Sequence, residues 1–375
     1  MRVAFVSDPH VGNHRKCGGA IVGSMNERCR LVLNVLREAI KVCISKNVGH
    51  LVVNGDFFDA HDPSPQLIAS VQVLLEWALS KGTQVVLLLG NHDMHSTSGM
   101  DNALAPLRRW AKVYDEPGVL SIPGALDIVM CPFRVGDAAT WVPESLAGLA
   151  LPKAKVPRVM SVHVGVRDPK TAAYLMGAAD SVDVGDLRKW AKAAGISHVF
   201  AGNWHDKKVW EQADEPSIIQ CGALCPTGWD NPGLTYGRMF IYDTTKVGPQ
   251  VEEVTVPGPR FIEVTSVEEA ARFADIATKK GLQMFVRLVE DAQTLALEGT
   301  PERPEGLAGW EVVSNSASSK AATADAAKAA KAESTLDEAL SAYIQKMPLA
   351  PGVSADEVEA VSREIISMVR KELSL

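Results

Sequence analysis

The stretch HLVVNGDFFD, His50 to Asp59, decides the fold. Its first five residues are a short apolar run with β-branched content, which reads as a buried strand. Gly55 then allows the backbone a sharp turn, and Asp56 and Asp59 follow at the strand's carboxyl end. The same arrangement recurs. Val3–Ser7 leads into Asp8–Pro9–His10, and Gln84–Leu88 into Gly90–Asn91–His92–Asp93. Arg158–Val162 leads into His163, and His198–Ala201 into Gly202–Asn203–Trp204–His205. Ile218–Gln220 and Met239–Tyr242 continue the series of strands. Between them, Asn26–Lys46 carries Leu31, Val35, Ala39 and Val42 or Cys43 at helical spacing, and Pro65–Lys81 reads as a second helix. Strands alternating with helices predict an α/β core. Ligands bind at the carboxyl ends of strands in such sheets, so five polar clusters in equivalent places converge on one site.

The 375 residues, 46% of them hydrophobic, suffice for one large domain and a smaller one. A net charge of −7 gives no support to a protein that coats nucleic acid non-specifically. The six cysteines form no CxxC pair and read as reduced thiols of a cytoplasmic protein. The N-terminus lacks a secretory pattern and no apolar stretch spans a bilayer, so a soluble, intracellular chain without a membrane partner is expected.

Pro257–Gly258–Pro259 marks a boundary. Residues 1–256 form the predicted catalytic domain. Residues 257–313 read as a small α/β unit, with strands Arg260–Val264 and Gln283–Val289 around a helix Ser266–Lys280. Residues 314–333 are a low-complexity linker of Ala, Ser, Lys, Asp and Thr. Residues 334–375 carry two capping boxes, Thr335 with Glu338 and Ser354 with Glu357, and two amphipathic helices. Such helices either fold back or dock a partner.

Carboxylate, imidazole and amide donors without a thiolate suit hard or borderline divalent ions such as Mn, Fe, Zn or Mg. A carboxylate that bridges two ions holds them ~4 Å apart, the spacing of two-metal hydrolases. Each motif alone is weak: GDxxD occurs at turns, and a lone His163 on an apolar strand is usually a satisfied core histidine. Their joint order is what points to a two-metal phosphoesterase.

This order resembles the calcineurin-like metallophosphoesterase superfamily. The resemblance implies a four-layer α/β/β/α sandwich with a small α/β capping domain and a helical C-terminal tail. It also implies that Asp8, His10, Asp56 and His205 hold the first metal. Asp56, Asn91, His163 and Asn203 would hold the second, with Asp56 bridging. His92 would bind no metal and would protonate the leaving oxygen, its ring oriented by Asp59. The superfamily pattern is GHxH where this chain has Gly202–Asn203–Trp204–His205. An amide oxygen is a poorer ligand than imidazole for Zn or Fe. Weaker occupancy of the second position and a preference for Mn are therefore expected, with His198 or Asp206 as conceivable substitutes.

Asp8–Pro9–His10–Val11–Gly12, then GDFFD and GNHD, most resemble the SbcD-type nuclease subunit of double-strand-break repair and recombination. That resemblance implies a Mn-dependent DNA exonuclease or endonuclease, a homodimer, and an SbcC-type coiled-coil ATPase partner bound through the C-terminal helices. Arg15, Lys16, Arg167, Lys170, Lys207 and Lys208 follow the metal motifs and are candidate DNA phosphate contacts. Trp204, Trp210 and Trp229 either stack on bases or pack. The competing readings are a small-molecule phosphodiesterase or phosphatase on the same scaffold, and a non-catalytic structural subunit with an impaired second metal site.

Overall fold

The computed structural model describes residues 1–15, 17–97, 101–171, 178–229, 237–246, 250–314 and 354. The first part of the chain runs β1 (Arg2–Val6), the short pair β2 (Ile21–Val22) and β3 (Met25–Asn26), α1 (Glu27–Ser45), β4 (His50–Val53), α2 (Pro65–Ser80), β5 (Gln84–Leu88) and β6 (Ala111–Tyr114). It continues with β7 (Gly118–Ile122), β8 (Leu126–Cys131), α3 (Ala138–Gly148), β9 (Arg158–His163), β10 (Gly165–Arg167) and β11 (Ser181–Asp183). Then come α4 (Val184–Ala193), β12 (His198–Gly202), β13 (Lys208–Trp210), β14 (Ser217–Gln220), β15 (Arg238–Asp243) and β16 (Val251–Thr255). The last described elements are β17 (Arg260–Val264), α5 (Val267–Lys280), β18 (Met284–Glu290), α6 (Ala292–Glu298) and β19 (Gly309–Ser314).

One six-stranded sheet has the order β16-β15-β1-β4-β5-β6 and the other β13-β14-β12-β9-β8-β7. Their inner strands are buried on both faces, which is why each reads as a continuous apolar run. Period-two alternation distributes the side chains. Ala4, Val6, Leu51, Val53, Val85 and Leu87 pack against α1 and α2. Val3, Phe5, Val52, Val86 and Leu88 turn the other way and meet Ile128, Met130, Val159 and Phe200 of the second sheet. Phe5 and Phe200 stack at 3.8 Å across that seam. Val129, Met160, Val162 and Val199 then face α3 and α4. The result is the four-layer α/β/β/α sandwich expected from the sequence.

Local chemistry sets the helix ends. The Asn26 side chain accepts from Cys29 N at the start of α1, and Ser64 accepts from Leu67 N at the start of α2, where Pro65 occupies the first turn. Of the α1 residues picked out by spacing, Val35, Ala39 and Cys43 are core, while Leu31 lies half-buried elsewhere. Five of the six cysteines are buried, and burial pushes the Cys43 and Cys131 thiols up to about 12, so these are inert packing groups.

The small α/β unit pairs β17 with β18 in parallel, and β19 adds to β18. Its own core is Ile262, Val264, Ala270, Ala274, Val286 and Leu288. Phe261 and Phe285, stacked at 4.7 Å, leave that core and pack with Trp229, Cys17 and Leu31 of the catalytic domain. β19 has no counterpart in the sequence-based expectation; its polar–apolar mixture in GWEVVS hides a strand that is covered on one face only.

The described chain divides into two compact units, Met1–Val289 with Thr300–Val313, and Glu290–Gly299 with Ser314–Leu375. Helix α6 belongs to the second unit. The predicted linker after Ser314 and the two tail helices fall, apart from Ser354, outside the described residues. Among the described residues, no helix is long and apolar enough to cross a membrane.

Asp243 ends β15 opposite Arg2 of β1. Its carboxylate accepts from the Thr245 hydroxyl at 2.7 Å and N–H at 3.0 Å, and from Arg2 Nε at 2.9 Å. The Thr245 hydroxyl and then the Arg2 guanidinium hold this carboxyl well below the usual carboxylate range. A depressed folded pKa contributes stability that is fully present above the unfolded value, about 4, and is lost as pH falls towards the folded one. Arg2 is half-exposed, so screening limits the contribution to about 1 kcal/mol. Asp243→Asn should therefore lower the denaturation midpoint in urea at pH 6, and the gap to wild type should shrink as pH drops below about 4. A gap independent of pH would show that the carboxylate's charge is irrelevant.

Candidate metal centre

Five strand ends meet at the seam between the sheets. Asp8 and His10 follow β1, Asp56 follows β4, Asn91 and His92 follow β5, His163 ends β9, and Asn203 and His205 follow β12. The loops after β1 and β4 run side by side: His10 N donates to Asp56 O, Val11 N to Phe57 O and Asp59 N to Val11 O. Those hydrogen bonds fix the first two motifs against each other before any metal is considered.

The backbone here is strained. Among the described residues, eight non-glycine residues have positive φ, and Asp8, His10, Asp56 and Asn203 are four of them. Each such residue costs of order 1 kcal/mol and persists only where its surroundings over-determine it. Three glycines make the approach possible. A Cβ on Gly55 would strike the His163 ring, one on Gly90 would strike the backbone N and carboxylate of Asp56, and one on Gly202 would strike Asn54 O and the Ser7 hydroxyl.

Donor atoms converge in two overlapping groups. Asp8, His10 and His205 form one, and Asp8, Asp56 and His163 the other, each with ligand atoms within 4.8 Å of one another. Asp8 thus sits in both groups, beside the bridging role expected for Asp56. The His10 and His205 Nε2 atoms face each other at 3.0 Å. His163 donates Nδ1–H to the Asn54 carbonyl at 2.7 Å, which turns Nε2 towards Asn91 Oδ1 at 3.0 Å and Asp56 Oδ1 at 3.4 Å. Asp8 and Asp56 are buried, and the ion pairs of Asp56 among the described residues are all with histidines.

Burial disfavours a charged His163, yet the Asp56 carboxylate outweighs burial and pushes it up to about 9. Burial alone would raise Asp56, and His163 more than offsets this, so Asp56 is held well below its ordinary value. A proton on His163 therefore does the neutralising that buried carboxylates demand. His10 goes the other way: burial drives it well below its ordinary value and leaves a neutral ring with a free lone pair. Paired buried carboxylates, facing imidazole lone pairs and an amide oxygen are the donor set of two hard or borderline divalent cations. The residues fit the group that the sequence implied.

Asn203 is held from two sides. Its N–H donates to both Asp8 oxygens at 3.1 and 3.2 Å, and its Nδ2 donates to Asp180 Oδ2 at 2.9 Å and to the Asp180 carbonyl at 3.2 Å. Asp180, which no motif marked, thus fixes the amide. His198 cannot substitute: it lies at the amino end of β12, away from the site, and packs against Tyr242. Asp206 is exposed, and its carbonyl accepts from Gln220 Nε2.

His92 stands at the rim with 44% of its side chain exposed. Its N–H donates to Asp56 Oδ1 at 2.9 Å and its Nδ1–H to the backbone carbonyl of Asp59 at 2.8 Å. The orienting group is therefore that carbonyl and not the Asp59 carboxylate. The carboxylate lies instead 3.8 Å from His10 Nδ1 and 3.7 Å from His14 Nδ1. Burial lowers the His92 pKa, but Asp56 and the Asp59 carbonyl raise it more, so the ring is protonated at higher pH than a free histidine. His10, Asp59 and His92 also form a third group of convergent donors, though Nδ1 of His92 is committed to the carbonyl.

A further functional residue is Asp93. Fully buried, it accepts from Phe57 N, Phe58 N and Gly90 N and so fastens the second motif to the third. The candidate phosphate contacts are mixed. Arg15 and Lys170 are exposed, Arg167 and Lys208 are half-buried, and Lys16 lies outside the described residues. Lys207 pairs with Glu253 at 3.1 Å. The tryptophans pack: Trp229 lies against Phe261 with Arg287 over its ring, Trp210 donates to Asp168, and Trp204 covers Gly165.

The family described as Calcineurin-like phosphoesterase matches residues 1–207. Among solved structures, the chain is similar to a dimetal phosphatase from Danio rerio, at 12% identity and a TM-score of 0.41, over 68% of this chain and 99% of that one. It is also similar to a putative 5'-nucleotidase from Staphylococcus aureus, solved with alpha-ketoglutarate, at 15% identity and a TM-score of 0.41, over 68% of this chain. It spans about half of that nucleotidase, 54% of its length. With more than half of its residues matched, from β1 through the last predicted metal ligand His205, the chain belongs to the calcineurin-like phosphoesterase family.

Proposed function

We propose that this phosphoester hydrolase is a Mn-dependent phosphodiesterase that cuts DNA, as the nuclease subunit of an SbcCD-type repair or recombination complex. The observation that carries the reading is the contrast between a buried carboxylate–histidine cradle and a half-exposed His92 at its rim. The phosphate is gripped in the interior while both ester arms can run out to solvent, as a polynucleotide requires. The small α/β unit next to this domain supports the reading, because an enzyme for a small phosphomonoester needs no such addition. Of the candidate basic residues, Arg15 and Lys170 are exposed to meet a backbone.

Asp8, His10, Asp56 and His205 would hold one divalent ion, and Asp56, Asn91, His163 and Asn203 the other; bound there, the pair supplies Lewis-acid polarisation of a phosphoryl oxygen and an activated water. The chain's own residues do the rest. Asp93, Gly55 and Gly90 hold the motifs at close approach. The Asn54 carbonyl fixes the His163 tautomer. His92, oriented by the Asp59 carbonyl, donates the Nε2 proton to the departing oxygen. The homodimer and the ATPase partner at the C-terminal helices belong to this proposal too.

Purified chain with Mn should degrade linear double-stranded DNA. No cleavage of DNA together with turnover of bis-p-nitrophenyl phosphate would move the reading to a small-molecule phosphodiesterase. The Asn203 position gives a separate test. Asp180→Ala frees the amide and should raise the Mn concentration for half-maximal activity by about tenfold, the usual size of such an indirect effect on a metal ligand. Asn203→His should lower it. An unchanged Mn requirement in both variants would remove Asn203 from the ligand set.

A further inference from the structure

A cleft of about 540 Å³ lies between α1 and the sheet of the small α/β unit, and none of its lining residues is a predicted metal ligand. That is the size of a small-molecule site. Glu27, Arg28 and Arg30 of α1 line one side, and Phe285, Arg303 and Trp310 the other.

Arg28 is the unusual member. It is 1% exposed, and its guanidinium lies 4.7 Å from the Phe261 ring and 5.3 Å from that of Phe285. Nη2 donates to the Pro226 carbonyl at 2.7 Å, while Nε and Nη1 have no hydrogen-bond partner among the described residues. Buried polar groups without partners are rare, and Cys225 and the Asp59 charge offset only part of the cost of burying this cation, whose pKa burial lowers. The aromatic faces offset part of that cost. Two further arginines stand over the same cleft. Arg30 donates to the Ala20 carbonyl, and neither Arg30 nor Arg303 pairs with a carboxylate among the described residues. Glu27 packs against Gly19, so one negative charge opposes three positive ones.

We propose that this cleft binds a nucleotide: a phosphate held by Arg30 and Arg303 over the buried charge of Arg28, and a planar base against Trp310 and Phe285. Arginine forks match phosphate geometry, and aromatic faces take any base. Trp310 is already oriented by its Nε1–H donated to the Pro301 carbonyl at 3.2 Å. The ligand would join α1 to the small unit. α1 in turn is tied to the first metal motif, because Asn26 Nδ2 donates to the carbonyl of His14, whose own Nε2 bonds the carbonyl of His10.

The test is calorimetric titration of the full chain with the phosphonate analogue of AMP, whose C–P bond resists hydrolysis, alongside adenosine and inorganic phosphate. The analogue should bind at least tenfold more tightly than either part. Arg303→Ala and Arg30→Ala should each weaken it by tenfold or more, and both side chains are accessible enough for the variants to fold. Arg303→Lys should retain part of the affinity. Asp56→Asn, which disables the metal centre, should leave it unchanged. Absence of binding by wild type overturns the site. So does binding that Asp56→Asn abolishes and the arginine variants leave intact, since the nucleotide then sits at the metals.

Discussion

His92→Ala should lower kcat on a diester with an alkoxide leaving group, such as a dinucleotide, by about 10²–10⁴-fold while bound metal stays at the wild-type level. The ring stands at the rim of the buried cradle: its edge meets His10 and its Nε2 lies 4.0 Å from Asp56 Oδ2, while the backbone N–H donates to Asp56 Oδ1. Removing the imidazole keeps that N–H and deletes the proton donor. A p-nitrophenolate leaves without help, so the same variant should lose about tenfold or less on bis-p-nitrophenyl phosphate. This split is the signature of a general acid: a residue needed for binding or metal retention would depress both substrates alike. Because the Asp59 carbonyl and not its carboxylate orients the ring, Asp59→Asn should leave the split in place. An equal loss on both substrates would refute the assignment of His92, and metal analysis on the same samples would tell loss of ions from loss of the acid.

Gly90→Ala should abolish activity and metal binding together and cost about 3 kcal/mol of stability, the upper range for overpacking. The added Cβ would collide with the backbone N and the carboxylate of Asp56, and backbone cannot swing aside as a long side chain can. Asp56 is fixed further by Asp93, whose carboxylate bonds the N–H groups of Phe57, Phe58 and Gly90. Relief of the clash must therefore displace either the predicted ligand Asp56 or the clamp behind it. Gly82→Ala is the control. Unlike Gly90, Gly82 has room, with nothing within 4 Å of the added carbon, but a left-handed φ of +86. It should cost about 1 kcal/mol through conformation alone and leave metal binding intact. Full activity in Gly90→Ala would mean that the approach of the β5 loop to Asp56 is looser than the structure has it.

Where the sequence was informative, the reason is burial on both faces. β1, β4, β5, β9 and β12 are unbroken apolar runs, each cut off by a polar motif, and that contrast is visible without a structure. The small unit was legible as strand, helix and strand after Pro257–Gly258–Pro259, and the structure adds that Ser266 caps α5 and that Gly281, in a left-handed conformation, ends it. β6, β7 and β10 were not legible. β6 and β7 are short, partly covered and of mixed polarity, and β10 has only three residues, so periodicity has little to work on. In the site, ligand types could be read from residue chemistry, but supporting residues could not. Asp180 lies 23 residues from Asn203, and only the fold brings them together. Asp59 does hold the His92 ring, but through its backbone carbonyl, and sequence cannot tell a carbonyl from a side chain as the acceptor. The positive φ of Asp8, His10 and Asp56 had no signal at all, since glycine is the residue expected there.

The first sheet closes late. β1 pairs with β4 on one side as soon as both have been made, but its other neighbour is β15, almost two hundred residues further along the chain. Until that strand arrives, a ribosome-bound chain presents β1 as an open, apolar edge, the kind of edge that recruits strands from other molecules. All the predicted metal ligands, Asp8 through His205, leave the ribosome before that strand does. Metal capture, which needs the strand ends of both sheets in place, is thus coupled to the return of Arg238–Asp243 and not to the synthesis of the ligands. A chain interrupted before residue 238 would carry every ligand and still aggregate.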